Sequence, residues 1–330
     1  FELGRGPDGQ WWVLGDRTQA PSGAGFALEN RVATTRALSD IYGEMHVHRL
    51  AGFFRRFRDA LIGMAKENDG RVAILTPGPL NETYYEHAYI ARYLGIMLLE
   101  GEDLTVSGGK LMVRTVSGLM PISVLWRRLD AAFADPLELR PDSQIGTPGL
   151  VEAIRRGAVS TVNALGSGLM ETRALLAFLP KISRALRGEE LLLPSVATWW
   201  CGQDSERRHV LANLDRMVVG PALSTRLAFE DDDQTRLGSA LTPEERIALI
   251  ARIESDGGGF VGQEAVTLST TPVYVGGWLE PRPASLRVYL ARTPEGWTVM
   301  PGGFARVGLS LDPTAIAMQR GGQAADVWVV

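Results

Sequence analysis

Two arginines near the end of the chain have a spacing that suits a polyanionic ligand. Arg287 begins a predicted hairpin made of Arg287–Leu290 and Gly296–Met300, and Arg306 follows Gly302-Gly303 on the neighbouring strand. A guanidinium group suits phosphate oxygens because its N–H donors form a planar fork, and glycine lets a ligand approach the backbone closely. We therefore predict that Arg287 and Arg306 bind phosphate groups.

Gln263 and Glu264 precede this hairpin and follow a predicted strand. An amide, a carboxylate and the adjacent backbone offer the donors and acceptors that adenine and ribose require. The pattern predicts a nucleotide held between two sheets, with Gln263 and Glu264 on the adenosine and the two arginines on the phosphates.

A second arginine pair, Arg127 and Arg128, ends a predicted buried strand. The carboxyl ends of strands in an α/β sheet border the crevice in which such proteins bind ligands. Two interpretations stand side by side. The pair, with Asp142, recognises a carboxylate or phosphate of a substrate, or it forms an ion-pair network with Asp130, Asp135 and Asp142 that holds the strand to the following loop.

Other residues that carry chemistry lie in weaker patterns. His46 and His48 alternate without a third ligand nearby, which favours solvated loop histidines over a zinc site. Cys201 is favoured as a small buried residue over a nucleophile. The acidic run 230–233 is typical of a solvated loop, and the stretch 166–168 lacks the Lys-Ser/Thr of a phosphate-binding P-loop.

The composition limits the class of protein. Over 330 residues, 34 Lys and Arg stand against 38 Asp and Glu, a net charge of −4, which argues against nucleic acid as a partner. A 45% hydrophobic share and 22% charged residues predict a folded chain. The single cysteine fits a reducing cytoplasm, and no apolar run reaches the ~18 residues of a membrane span. Phe1 and the apolar end at Val330 suggest a fragment of a longer protein.

The elements that must position these residues change character along the chain. A hairpin is predicted over residues 1–20, and helical periodicity covers Ala27–Leu38 and Leu50–Ala65. From 71 to 165, strands alternate with helices, which predicts a mostly parallel sheet covered on both faces.

The second half of the chain is predicted to be helical first and strand-rich later. Residues 170–215 read as helix interrupted at Pro180 and Pro194. Thr242–Ile253 is predicted to form a helix with a capping box and a proline in its first turn. Strands dominate from Val261 onward.

Short motifs spread along nearly the whole chain are specific when taken together. They are Asp16–Gly23, Glu29–Arg31, Leu75–Pro79, Glu86-His87, Arg127–Asp130, Arg140–Ser143, Gly146–Gly149, Val299–Gly303 and Gln319–Gly322. With these motifs the chain resembles circularly permuted ATP-grasp proteins, which are relatives of the ligase domain of glutathionylspermidine synthase.

The resemblance implies an α/β (α+β) fold, a circularly permuted ATP-grasp with an inserted Rossmann-like domain that precedes the ATP-grasp in unpermuted relatives. Residues 1–65 would be the permuted C-terminal-type portion, 66–169 the Rossmann-like substrate domain and 170–330 the remaining ATP-grasp subdomains. Because of the permutation, 1–65 and 170–330 are expected to meet in space.

The resemblance also implies an activity: an ATP- and Mg²⁺-dependent carboxylate–amine ligase that forms an acyl-phosphate and acts on a small molecule or peptide. Asp16 would be a metal ligand, and Arg287 and Arg306 would stabilise the phosphate charge. The residues that would hold the substrate are Arg127, Arg128, Asp142 and Ser143.

Several positions depart from the family pattern. Gly15-Asp16-Arg17 stands where relatives carry a Glu-Asp-Asn metal motif, Gly220-Pro221 where they carry a Lys-Pro that grips the nucleotide, and Ala325 where they carry a lysine. These departures motivate an alternative: a catalytically degenerate relative that acts as a binding or scaffolding module.

Overall fold

The computed structural model describes residues 1–67, 70–227, 234–309 and 323–330. These residues form a mixed α/β fold with several sheets. The helices are α1 (Ala24–Ala37), α2 (Ser39–Glu44), α3 (Ala51–Glu67), α4 (Tyr84–Leu94), α5 (Leu150–Arg155), α6 (Arg173–Leu176), α7 (Leu179–Arg187), α8 (Asp204–Ala212) and α9 (Pro243–Ser255). The strands are β1 (Glu2–Arg5), β2 (Trp11–Gly15), β3 (Arg71–Leu75), β4 (Met97–Leu99), β5 (Leu104–Ser107), β6 (Lys110–Thr115), β7 (Gly118–Arg127), β8 (Ser160–Val162), β9 (Thr198–Trp200), β10 (Met217–Pro221), β11 (Arg236–Leu237), β12 (Phe260–Glu264), β13 (Thr270–Val275), β14 (Trp278–Arg287), β15 (Leu290–Thr293), β16 (Gly296–Val299), β17 (Gly302–Val307) and β18 (Gln323–Trp328).

The chain divides into two compact units, each built from three segments. Unit 1 comprises Phe1–Arg17, Gly168–Arg287 and Ala305–Ala325. Unit 2 comprises Thr18–Ser167, Val288–Phe304 and Asp326–Val330. The division into portions 1–65, 66–169 and 170–330 stays a prediction. No helix in the described ranges combines the length and the apolar character needed to cross a membrane.

Unit 2 contains the parallel sheet that the sequence predicts. Its strand order is β4-β3-β7-β6-β5, with β8 also paired to β7. Strand β3 runs parallel to β4 and β7, and β7 runs parallel to β8, whereas β5, β6 and β7 form antiparallel pairs. The parallel register places the carboxyl ends of β3 and β7 side by side, so that the Arg128 N–H donates to the Leu75 carbonyl at 2.8 Å.

Both faces of this sheet are buried, because alternate residues of a strand point to opposite sides. Ile74 and Val124 belong to a core with Phe54 and other side chains of α3 and α4. Ala73 and Leu125 belong to a second core, which includes residues of α5, β5 and β6. The prediction of a sheet covered on both faces is confirmed.

Antiparallel pairing dominates the remaining sheets. A six-stranded sheet has the order β18-β17-β14-β1-β2, with β13 paired to β14, and a four-stranded sheet has the order β11-β10-β12-β9. The predicted opening hairpin is confirmed as β1 paired with β2. Strand β1 also pairs with β14, which sets Glu2 opposite Arg287.

The structure corrects three local predictions. Pro180 lies in the first turn of α7, where its missing N–H costs no hydrogen bond, and does not interrupt a helix. Thr198–Trp200 is a strand, as its aromatic pair favours. Arg287 ends β14, and the hairpin after it is formed by β15 and β16. By contrast, the capping box at Thr242 is confirmed.

Candidate functional site

A buried carboxylate, Glu2, joins the two predicted phosphate-binding arginines in unit 1. The Arg287 Nε donates to Glu2 Oε2 at 2.7 Å, and Arg306 Nε lies 3.6 Å from Glu2 Oε1. Ser285 donates its hydroxyl to the same Oε1 at 3.3 Å. Glu2 has no solvent exposure, and the arginines are 5% and 8% exposed. A carboxylate so deeply buried requires such partners.

The arrangement places two guanidinium groups beside one carboxylate in the six-stranded sheet. The Nε atoms face Glu2, and each guanidinium has further N–H donors beyond that contact. Such a pair can hold phosphate oxygens through charge-assisted hydrogen bonds.

Asp16 follows the last residue of β2, and β2 pairs with β1 so that Gly15 stands opposite Glu2. Asp16 Oδ1 is buried and has no hydrogen-bond partner within the described ranges. Burial raises the pKa of Asp16, the amino group of Phe1 opposes this rise, and the nearby Glu171 carboxylate adds to it. A buried carboxylate oxygen without a hydrogen-bond donor, close to a second carboxylate, offers the oxygen ligands that a hard divalent cation prefers.

The residues around Asp16 meet the modest protein-ligand requirement of Mg²⁺. No group of three His, Cys, Asp or Glu side chains able to hold a metal occurs in the part of the chain that the structure describes. Mg²⁺ nevertheless needs only one or two carboxylates when phosphates and waters complete its shell. Asp16, with Glu171 near it, fits that smaller requirement.

Arg173 was not singled out by its sequence pattern, yet it fills the space beside Gly220. A Cβ added at Gly220 would meet Arg173 Nη1 and lie 2.7 Å from Thr235 Oγ1. Arg173 is buried, and it donates to the Arg226 and Leu227 carbonyls and to Thr235 Oγ1, each at 2.7 Å. The guanidinium group of Arg173 therefore occupies the space that a side chain at position 220 would need.

Gln263 and Glu264 lie on another sheet of unit 1 than the two arginines. Both end β12, which pairs with β10 and β9. The buried Gln263 donates its amide to Thr198 Oγ1 at 3.2 Å, whereas the exposed Glu264 faces Arg216 at 3.6 Å. Their role at adenosine stays a prediction.

Arg127 binds backbone carbonyls and forms no ion pair with the acidic residues after it. It is fully buried. The carbonyls that accept its hydrogen bonds are those of Gln19, Leu129, Asn163 and Ala164. The predicted ion-pair network is wrong, because Asp135 instead accepts backbone N–H bonds from Gly149 and Val151.

The other predicted substrate residues of unit 2 are dispersed. The exposed Asp142 is held by a two-pronged ion pair with Arg140, at 2.8 and 3.2 Å. Ser143 donates to the Phe133 carbonyl at 2.7 Å. Arg128 is buried, and its Nη2 donates to the Pro21 carbonyl at 2.6 Å. Asp142 therefore forms its ion pair with Arg140 and not with Arg128.

Sequence reasoning missed Glu2, Glu171 and Arg173. No local sequence pattern marks these three residues. Burial raises the pKa of Cys201 to about 11, which keeps the thiol protonated and supports the non-nucleophilic interpretation. The acidic run 230–233 and the motif Gln319–Gly322 lie outside the described residues.

The sequence of this chain matches a known protein family. The family described as "Circularly permuted ATP-grasp type 2" matches residues 1–308. The uncharacterized protein Rv2567 of Mycobacterium tuberculosis is 38% identical over 99% of this chain, and this chain spans only 36% of its length. The uncharacterized protein sll0335 of Synechocystis is 33% identical over the whole chain, which spans 68% of that protein.

A solved structure shares the fold at low sequence identity. The glutathione synthetase-like effector GSS30 of Globodera pallida, in its apo form, has a TM-score of 0.50 and 11% identity, covering 99% of this chain and 73% of its own. On the family match over nearly its full length, the chain belongs to the circularly permuted ATP-grasp type 2 family.

Proposed function

We propose that this chain is the ATP-grasp part of an ATP- and Mg²⁺-dependent carboxylate–amine ligase. The observation that carries the proposal is the buried Glu2, which holds Arg287 and Arg306 together on the strand next to the one that leads into Asp16. Triphosphate oxygens need convergent cations, and a metal between phosphates needs a carboxylate.

In the proposed reaction, a substrate carboxylate oxygen attacks the γ-phosphorus of ATP and ADP leaves, which gives an acyl-phosphate. An amine then attacks the carbonyl carbon, phosphate leaves, and the nitrogen loses a proton to solvent. Arg287 and Arg306 stabilise the charge on the transferred phosphoryl group. Gln263 and Glu264 bind the adenosine.

Asp16 and Glu171 would hold Mg²⁺ in this scheme. When bound, the metal would neutralise part of the negative charge of the phosphates. Arg173 supports the nucleotide-binding interpretation, because it supplies a cation beside Gly220, where relatives have a lysine. The description of GSS30 as glutathione synthetase-like supports a ligase among proteins of this fold.

The finer assignments are part of the same proposal. Residues 66–169 form a Rossmann-like substrate domain, 1–65 and 170–330 form the ATP-grasp, and the nearest activity is that of glutathionylspermidine synthase-like ligases. The substrate is a small molecule or peptide with a carboxylate and an amine. A cytoplasmic location and the lack of a nucleic-acid partner stay predictions from composition.

The departures at Gly15, Arg17 and Ala325 motivate a second candidate, a scaffolding relative without catalysis. Arg17 lies near the proposed metal ligand and donates to the Thr225 carbonyl at 3.1 Å. Its positive charge opposes a cation nearby, which favours this alternative. Nucleotide binding separates the two candidates.

The test is calorimetric titration of the purified protein with ATP and Mg²⁺, followed by an assay of ADP release with a panel of amino acids and amines. Arg306→Gln should weaken ATP binding roughly 10- to 100-fold, since a charge-assisted hydrogen bond contributes about 1.5–3 kcal/mol. The matched control Arg140→Gln, on an exposed arginine, should change nothing. Absence of ATP binding would contradict the ligase and favour the scaffold, whereas tight Mg²⁺-dependent ATP binding that Arg306→Gln weakens would count against the scaffold.

A further inference from the structure

Unit 2 contains a buried arginine that forms no ion pair within the described ranges, at the carboxyl edge of its parallel strands. Arg128 directly follows β7, beside the end of β3, and is 7% exposed. It forms no ion pair with any residue in the described ranges, and its Nε has no hydrogen-bond partner there. A buried cation left in this way is unstable unless an anion joins it.

The protein satisfies only part of this guanidinium. Nη2 donates to the Pro21 carbonyl at 2.6 Å, and the group lies 5.5 Å from the ring centroid of Trp126. A guanidinium has five N–H donors, so most of them find no acceptor among the described side chains and carbonyls. These contacts fix the orientation of Arg128 and leave its Nε without an acceptor in the described ranges.

A buried glutamate near Arg128 is also incompletely satisfied. Glu86, which is 1% exposed, accepts the N–H groups of Gly23 and Gly25 on Oε1, at 2.8 and 3.1 Å. Its Oε2 has no hydrogen-bond partner in the described part of the chain. Burial lowers the pKa of Arg128, and the Glu86 carboxylate opposes that shift, yet the two side chains form no ion pair.

The neighbouring histidine adds no charge to this pair. His87 Nδ1 lies 2.9 Å from Thr76 Oγ1 and Nε2 lies 3.1 Å from Thr83 Oγ1. Burial, together with the positive charge of Arg128, lowers the pKa of His87 to about 3, so the imidazole is neutral at ordinary pH. The group formed by Arg128 and Glu86, hereafter the Arg128–Glu86 site, therefore presents one cation and one carboxylate oxygen.

We propose that the Arg128–Glu86 site binds a zwitterion, the carboxylate and ammonium of a free α-amino acid or of a short peptide. The carboxylate takes the unused donors of Arg128, and the ammonium takes Glu86 Oε2. Opposite charges in a low-dielectric interior attract strongly, and a ligand that carries both charges satisfies each of them. A phosphate is disfavoured because the glutamate repels it.

This site would give the proposed ligase its amino-acid-type substrate, and to that extent the inference rests on the proposed function. Binding of a zwitterion does not require ATP, so it is measured without nucleotide. Failure of the ligase would appear as absent ATP binding or ADP release, and failure of this site as absent amino-acid binding.

The experiment is a calorimetric titration of the whole chain with a panel of L-amino acids and glycylglycine, with inorganic phosphate as a further probe. We expect at least one zwitterion to bind, and its amide and N-acetyl derivatives to bind at least 10-fold more weakly. Arg128→Lys should weaken binding of the zwitterion at least 10-fold. Glu86→Gln should weaken the zwitterion but not the N-acetyl derivative, a difference that general misfolding does not produce.

Arg140→Lys is the matched control, since Arg140 lies exposed on the same unit and should leave binding unchanged. Thermal melting of each variant checks that it is folded. The proposal is overturned if no amino acid or dipeptide binds, if both variants bind as the parent does, or if phosphate binds more tightly than every zwitterion.

Discussion

At the scale of single residues, the chemistry of unit 1 depends on the buried carboxylate of Glu2, which lies beside the positively charged Arg287 and Arg306. Glu2 accepts a hydrogen bond from Arg287, lies beside Arg306 and accepts another from Ser285. Two buried guanidinium groups therefore lie beside this one carboxylate. We therefore expect Glu2 in β1 to hold both arginines where phosphates could reach them.

Glu2→Ala should lower the free energy of unfolding by about 3–5 kcal/mol, because it leaves buried charge without its partner. The control Asp142→Ala removes an exposed ion pair with Arg140 and should cost less than about 1 kcal/mol. Urea denaturation measures both. Equal, small losses for the two variants would show that Glu2 does not organise the arginines.

A second residue-scale prediction concerns His87, whose pKa is lowered to about 3 in the folded chain. The unfolded chain takes up a proton near pH 6.5 and the folded chain does not, so stability should fall as the pH drops from about 6.5 toward 3. The slope is about 1.4 kcal/mol per pH unit, and above pH 6.5 the contribution is constant.

Urea denaturation at pH 7.5 and 5.0 tests this dependence. His87→Gln should remove most of the difference between the two pH values, whereas His46→Asn, on an exposed histidine, should retain it. An unchanged difference in His87→Gln would mean that other groups cause the acid sensitivity.

At the scale of elements, Gly220 in strand β10 and Arg173 at the start of α6 compete for the same space. Gly220 lies in β10, and the guanidinium of Arg173 occupies the space that a side chain there would need. The same guanidinium ties Leu227 to Thr235. A glycine at 220 is therefore required by Arg173, and the two positions act as one unit.

Gly220→Lys alone should destabilise the protein by about 1–3 kcal/mol, because overpacking forces the neighbours apart. In an Arg173→Ala background the same substitution should cost much less, and the double-mutant cycle should give a coupling energy above about 0.5 kcal/mol. Gly63→Lys, where no atom lies within 4 Å of the added Cβ, is the control in the urea measurement. An equal cost of Gly220→Lys in both backgrounds would show that Arg173 does not require a glycine at position 220.

At the scale of the whole molecule, the interleaved segments of unit 1 agree with a permuted chain. Phe1–Arg17 clusters with Gly168–Arg287 although the two are far apart in sequence. The chain spans 36% of the length of its mycobacterial relative and 68% of its cyanobacterial one. Because this chain spans only part of the mycobacterial relative, any activity of the whole protein is a proposal.

Local patterns allowed much of this fold to be predicted from sequence. The capping box at Thr242, the opening hairpin and the parallel strands depend on neighbours a few residues apart. Glu2 and Arg287, in contrast, are separated by 285 positions, and Arg127 binds backbone carbonyls, which no residue pattern encodes. Asp142 pairs with Arg140, two residues away, a local contact that the sequence analysis did not consider.

The central claim is that Arg287, Arg306 and Asp16 form one nucleotide site, and a crystal structure with Mg²⁺ and a non-hydrolysable ATP analogue tests it most directly. The account predicts phosphate oxygens within hydrogen-bond distance of both guanidinium groups and the metal bound to Asp16. A nucleotide bound elsewhere on the chain, or a metal without Asp16 among its ligands, would contradict the claim.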